Sequence, residues 1–405
     1  MIPEVPLGFN LSPALDGAPV PWNALSPMWV NWDLISIGAC YFIPLDILLS
    51  AWVFMLTRKG MEIFGYMQGW RNLGWDSAGF PYTRSQAAGA WIALFFLLVW
   101  AERHHLRRVL VAAFGGRANF HDENEPGSYR VAGRLLVAGT LILIAFGIWS
   151  GMSPWLTIAF YAFFWMLFIT MTRIYAQVGP PILELYFLDP QKTLTTIFGS
   201  VGQSPGSLTN FSLMYWINRT SRGHPMAHML SAFWVGRATR VSPRSLGKWV
   251  LVAFVVGCAA CLLSQVHFAY RVGEDMFVEG GWREAFAPQA VARINDWVKS
   301  PKGPNWTEIS FIGIGATVTL TLAALGNLII GFPLHPIGYA MAMCFTVEYN
   351  WAAFLLLWAV KGLSLRYGGR NAYQRFAPFF LGITLGGFVA PVLWGLTAFL
   401  LRWYP

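Results

Sequence analysis

Reduced to polar and apolar positions, the chain alternates long hydrophobic runs with short polar interruptions from residue 34 to its end. About twenty apolar residues form a helix long enough to cross a bilayer. Runs of that kind predict spans at Leu34–Thr57, Gln86–Ala101, Val131–Met152, Trp155–Val178, Trp249–Tyr270, Ile309–Ile330, Trp351–Leu365 and Phe379–Trp403. Pro44 and Asp46 lie inside the first of these and Pro391 inside the last. The fold class expected is all-α, a polytopic transmembrane helical bundle of about eight or nine spans.

Two of the runs are interrupted by proline and glycine, at 178–181 (VGPP) and 331–338 (GFPLHPIG). Proline lacks an amide donor and clashes with the preceding turn, so neither helix can continue. Broken helices at membrane depth free backbone groups that transporters use at ion and substrate sites, and they predict broken or re-entrant helices here. Ordinary turns at the membrane surface are the alternative.

The remaining stretches read as follows. Residues 1–33 contain six prolines, no basic leader and no apolar core. They are expected as an extended arm ahead of a single transmembrane domain, 34–405, with the first span directing insertion. Residues 102–116 (ERHHLRRVLVAAFGG) suit a basic amphipathic helix at the membrane surface. Residues 182–248 hold segments too short or too polar to cross, read as re-entrant or interfacial helices. The polar loop 271–306 is expected as an extramembrane cap.

Composition supports this reading. The chain is 56% hydrophobic and 12% charged, against roughly a quarter charged in soluble domains. Its many Trp, Phe and Tyr cluster at the ends of apolar runs, as interfacial belts do. The net charge of +9 comes from loops, where topology signals and anionic headgroups account for it, so no nucleic-acid partner is implied. Charge does not yield a clean orientation. Placing residues 102–130 and 366–377 on the inside requires 331–347 to cross the membrane, and it leaves the basic Arg58-Lys59 flank outside. All four cysteines, Cys40, Cys258, Cys261 and Cys344, fall in apolar segments and read as buried small hydrophobes. There is no P-loop, nucleophile elbow or HExxH motif, so the sequence offers nothing for an enzyme.

Ionisable residues inside apolar runs are the candidates for chemistry. Asp46, Arg173, Gln177 and Glu184, with the break residues Gly179, Pro180, Pro181, Pro333, His335 and Pro336, would line a substrate or ion path. Arg173 needs a partner, and Asp46 or Glu184 would serve; a structural ion pair locking helices is the alternative. His224 and His228 are spaced by four. With His267 and His335 they are candidates for a metal, haem or chlorophyll-type pigment, although no cofactor is required.

The motifs TRIYAQVGPP (172–181), RGHPMAH (222–228), FPLHPIGYA (332–340) and KGLSLRYGGRNAYQRFAPFFLGITLGGF (361–388) resemble a family of bacterial polytopic membrane proteins known only as domains of unknown function. That family is loosely linked to the oligopeptide transporter superfamily. The resemblance implies a multi-pass protein of the bacterial inner (cytoplasmic) membrane with a cavity between the two broken helices. Family members are longer, with additional N-terminal spans. Their helix-break motif usually reads RIRAEAGPP and their histidine motif HPMPHQLEGF. Tyr175 and Gln177 stand here for the second arginine and the glutamate of the first; Met229 and Ser231 stand for Gln and Glu of the second. Two functions follow as expectations: an oligopeptide-transporter-like permease, or a non-transporting structural subunit packed against other membrane proteins in a larger complex, a pigment- or haem-carrying one being one form of it.

Overall fold

A computed structural model describes residues 8–71, 79–115, 125–180, 183–185, 188–218, 221, 223–272 and 286–402. In chain order its elements begin with β1 (Gly8–Asn10), α1 (Ser12–Asp16), β2 (Trp29–Asn31), α2 (Leu34–Cys40), α3 (Leu45–Met67) and α4 (Thr83–Ala101). There follow α5 (Arg103–Ala113), α6 (Tyr129–Trp149), α7 (Pro154–Val178), α8 (Pro190–Phe198), α9 (Pro205–Leu213) and α10 (Tyr215–Asn218). The last are α11 (Pro225–Ala238), α12 (Pro243–Val272), α13 (Phe286–Lys299), α14 (Trp306–Leu328), α15 (Pro336–Ala342) and α16 (Phe345–Arg402). Pro181 lies outside the described residues.

Among the described residues six helices are long and apolar enough to cross a membrane: α4, α6, α7, α12, α14 and α16. The apolar stretch of α16, Phe345–Thr397, covers 53 residues. Straight, it would measure about 80 Å, more than twice a hydrocarbon core of about 30 Å. It is not straight. Gly369 adopts φ +58° and ψ −153°, a conformation open mainly to glycine. The chain bends there, so that Lys361 and Tyr373 both reach the ring of Tyr41, at 5.9 and 5.1 Å.

The chain forms two compact units, one of residues 1–94, 173–188 and 306–405, the other of 95–172 and 189–305. The arm thus belongs with the first unit, and residues 34–405, expected as one domain, divide between the two. Nor is the arm extended. β1 pairs antiparallel with β2, Gly8 opposite Asn31 and Asn10 opposite Trp29. Asn31 Nδ2 then donates to the Tyr349 carbonyl (3.1 Å), and Trp351 Nε1 donates to that of Trp29 (2.7 Å).

Leu34–Thr57 is not one helix either. Asp33 caps α2, its Oδ2 accepting from Ser36 N at 3.0 Å. The helix stops at Cys40, and α3 starts after Pro44. Between them the chain reverses: β2 and Lys59 both lie beside residues 348–351, whereas Ile43 O accepts from Lys361 Nζ at 2.6 Å. Pro44 cannot continue the first helix but suits the position just before a second. Within the same unit α4 and α14 approach closely through glycines: a Cβ on Gly89 would sit 1.9 Å from Ile312 O, and one on Gly315 2.1 Å from Gln86 O.

In the second unit α8, α9 and α13 gather around the start of α7. Met152, Leu156, Phe160, Tyr161, Leu194, Leu208, Phe211, Met214 and Trp297 form a buried apolar cluster there. The polar stretch 271–306 therefore contributes a helix to a packed core. Its Arg293 pairs with Asp189 and lies 4.0 Å over the Tyr215 ring. The short helices share one start signal, a capping residue followed by proline. Asp189, Ser204 and His224 accept amides of the first turns of α8, α9 and α11, and in the first unit His335 does so for α15. Proline at the first helical position sacrifices a donor that would be unpaired anyway. Cys40 and Cys344 are buried as expected, but Cys258 and Cys261 are exposed on α12. Among the described residues, none of the apolar window of α12 is buried.

Candidate functional site

The second interruption builds a hairpin against α3. His335 N donates to Ser50 Oγ at 2.7 Å, Gly338 rests on the same serine, and the rings of Tyr339 and Phe54 meet at 5.1 Å. All seven residues of α15 apart from Pro336 are buried. The chain turns at Met343-Cys344 and enters α16, where Glu348 reaches Arg58 and Lys59. From there it returns. Trp358 packs on Trp52 at 5.4 Å, and Lys361 ends beside Ile43. The segment thus goes in and comes back along α3, over the eight residues from Ser50 to Arg58, about 12 Å of helix. A full crossing by 331–347, which the charge argument required, is not what forms. An out-and-back hairpin returns residues 331 and 366 to the same end of α3 and meets that requirement.

Ionisable side chains crowd the tip of this hairpin. Arg58, Lys59, Glu62 and Glu348 are each no more than 3% exposed. Arg58 donates to Glu348 Oε2. Lys59 Nζ lies 3.0 Å from Glu348 Oε1 and 3.2 Å from Glu62 Oε2. It also donates to the arm carbonyls of Leu25 (3.3 Å) and Pro27 (3.0 Å). An ammonium has three protons, and four acceptors surround this one. Glu62 loses that competition: its Oε2 has no hydrogen bond, and charge alone relates it to Lys59, to Arg58 at 3.8 Å and to Arg71 at 3.6 Å. Glu348 thus accepts a hydrogen bond from Arg58 and pairs with Lys59, whereas Glu62 has no hydrogen bond at Oε2 and is the more loosely held carboxylate.

The first interruption arrives at the same place. α7 ends at Val178, and Gly179 takes φ +60°. Pro180 is buried, as are Leu183, Glu184 and Leu185 beyond the break. The Thr346 hydroxyl accepts from Glu184 N at 2.9 Å and donates to Glu184 O at 3.3 Å. Thr346 lies in the first turn of α16, half a turn before Glu348. The stretches that follow the two breaks are joined through this hydroxyl.

The predicted site residues fare differently. Asp46 is half-buried in the first turn of α3, accepting from Ile47 N at 2.9 Å. Arg173 and Gln177 are exposed on the last turns of α7, whereas Glu184 is 2% exposed. Pro333 is exposed; His335 and Pro336 are half-buried. His335 Nδ1 accepts from Ile337 N at 3.1 Å. Burial lowers its pKa below the ordinary imidazole range, the Asp46 carboxylate opposing. His224 Nδ1 accepts from Met226 N at 3.4 Å while its ring stacks on Phe168 at 3.9 Å. Burial, and secondarily His228, pushes its pKa down to about 4. His228 and His267 are exposed. Among the described residues no group of three or more His, Cys, Asp or Glu is placed to hold a metal.

Arg58, Lys59, Glu62, Thr346 and Glu348 were not singled out in the sequence. Arg58 and Lys59 look like a basic flank just beyond an apolar run. Glu348 offered the available signal, a lone carboxylate in the apolar stretch YAMAMCFTVEY; such a group in a membrane helix requires a partner.

A helical membrane protein with a buried ion cluster where two interrupted helices meet is the class these features define. Over residues 1–404 the chain matches a family of unknown function, DUF6785, and it belongs to that family. No curated protein matches it.

Proposed function

We propose that this protein is a multi-pass permease of the bacterial inner membrane, related in plan to the oligopeptide transporters. The α15–α16 hairpin and the interrupted end of α7 would frame its path for substrate or coupling ion. One observation carries this reading: two carboxylates and two cations, all buried, lie at the tip of a half-length helix where both breaks meet. Buried charge is costly in a membrane protein and collects on ion, proton and substrate pathways. Discontinuous helices are where secondary transporters place such sites. Glu62, the less firmly paired carboxylate, is the group assigned to bind and release a proton or cation. The test is uptake of labelled short peptides by liposomes containing the full chain, under an imposed proton gradient. Uptake that collapses with the gradient and is lost in folded Glu62→Gln supports the proposal; no uptake under either gradient direction overturns it.

The second reading, a non-transporting subunit of a larger membrane complex, is favoured by α12, none of whose apolar window is buried among the described residues. Purification in mild detergent with mass spectrometry of co-eluting proteins decides it, since a lone monomer would sink it. A visible spectrum without a band beyond tryptophan removes its pigment- or haem-carrying form.

A further inference from the structure

The second unit carries its positive charge at one end. Three close approaches gather the basic segments there. A Cβ on Gly133, early in α6, would stand 2.7 Å from the Cβ of Ala113 at the end of α5. One on Gly247, early in α12, would lie 3.3 Å from Pro126, just ahead of α6. One on Gly236, near the end of α11, would lie 2.3 Å from Leu246 of α12. The starts of α6 and α12 and the ends of α5 and α11 therefore share one end of this unit.

Exposed cations crowd that end. They include Arg107 and Arg108 on α5, Arg130 and Arg134 on α6, and Arg244 and Lys248 on α12. Among the described residues, 102–115 and 125–134 hold five arginines against two acidic residues, and 237–248 hold four basic residues and no acid. The far end differs. There α6 has finished at Trp149 and α13 packs against Met152 and Leu156, and of the described charges Arg293 pairs with Asp189 and Lys302 with Asp296. The unit is thus electrically polarised along its spans.

Apolar groups at the basic end fit the same plane. On α5, Leu106, Leu110 and Phe114 remain 36–68% exposed. A short helix with both a basic and an apolar side uncovered is built to lie among headgroups. Trp100, Trp234 and Trp249 are also exposed here, the position interfacial tryptophans take. The candidate span of α12, Pro243–Arg271, counts 29 residues, about 44 Å against a core of about 30 Å. The excess holds Arg244 and Lys248.

We propose that this end of the second unit is a binding surface for the anionic phospholipid headgroups of the cytoplasmic leaflet, and that it therefore faces the cytoplasm. The surface requires a membrane and is independent of transport. Native mass spectrometry of the full chain, loaded with equal phosphatidylglycerol and phosphatidylcholine, tests it. Phosphatidylglycerol is expected to be retained preferentially, and retention to fall between about 50 mM and about 500 mM salt as screening shortens. Each cation near a charged surface contributes about a fivefold factor, so the combined variant Arg107→Gln, Arg108→Gln, Arg244→Gln, Lys248→Gln should bind phosphatidylglycerol at least about tenfold less. Lys299→Gln with Lys302→Gln, at the other end, should change nothing. Equal retention of both lipids by the unaltered protein overturns the proposal, as does a folded quadruple variant with undiminished phosphatidylglycerol. Displacement of the lipid by inorganic phosphate alone would also overturn it. Should the variant not fold, lipid preference and its salt dependence in the unaltered chain decide the matter.

Discussion

Lys59 and Glu348 stand 3.0 Å apart, both almost wholly buried, although one lies within a helix near the start of the chain and the other opens one near its end. Their pairing ties α3, the N-terminal arm and the second helix break into a single arrangement. Removing one member of such a pair strands the other's charge, whereas replacing the pair with apolar groups need not destabilise at all.

Glu348→Ala should therefore destabilise the protein by about 3–5 kcal/mol. The triple replacement Arg58→Met, Lys59→Met, Glu348→Leu, combined with Glu62→Gln so that no buried carboxylate loses its cations, should be closer to the unaltered protein than Glu348→Ala is. Thermal unfolding in detergent measures both. A combined variant worse than the single one would show that the cluster contributes net stability as ions.

The Thr346 hydroxyl is predicted to hold the segment beyond the first break. Thr346→Val keeps the shape but leaves the buried Glu184 amide without its acceptor, a cost of about 1–3 kcal/mol. Thr346→Ser should cost less. Limited proteolysis near residues 179–188 should accelerate in the valine variant and stay near normal in the serine variant.

His224 gives a pH dependence. Its pKa lies at about 4 in the folded chain, below the roughly 6.5 of a free imidazole. As pH falls through the upper value the unfolded chain takes up a proton and the folded chain resists. Stability contributed by the neutral ring is thus complete above about 6.5, declines toward about 4 and levels off below. Asn, which also caps helices, should flatten this decline in His224→Asn. Melting temperatures across that range will show the difference, or refute it if the two proteins run parallel.

The contact between α4 and α14 has no room for a side chain. Gly315→Val would place a Cβ 2.1 Å from the Gln86 carbonyl. Overpacking of this kind costs about 1–3 kcal/mol or more. Gly313→Val, on the same helix with open space around it, is the control and should be tolerated apart from the small helix-propensity change. Yield of folded protein after detergent extraction distinguishes them.

What the sequence determines by itself is local. Apolar runs set which helices can cross a membrane. Gly179-Pro180 ends α7, and Gly331, at positive φ ahead of Pro333, closes the turn after α14, each near the expected residues. The pairing of a capping residue with proline, at Asp189, Ser204, His224 and His335, likewise needs no distant partner. His224 and His335, attractive as ligands in the sequence, both carry this capping role. The tertiary structure alone decided the rest. It reversed the chain between Cys40 and Leu45, where apolar character continues across the turn and conceals it. It folded the N-terminal segment as a paired strand whose partners sit at residues 349 and 351. It took Arg58 and Lys59 out of the loop charges that seemed to contradict the orientation, by burying them against Glu348. An apolar run and a helix break are properties of neighbouring residues. The partner of a buried charge comes from wherever the fold places one.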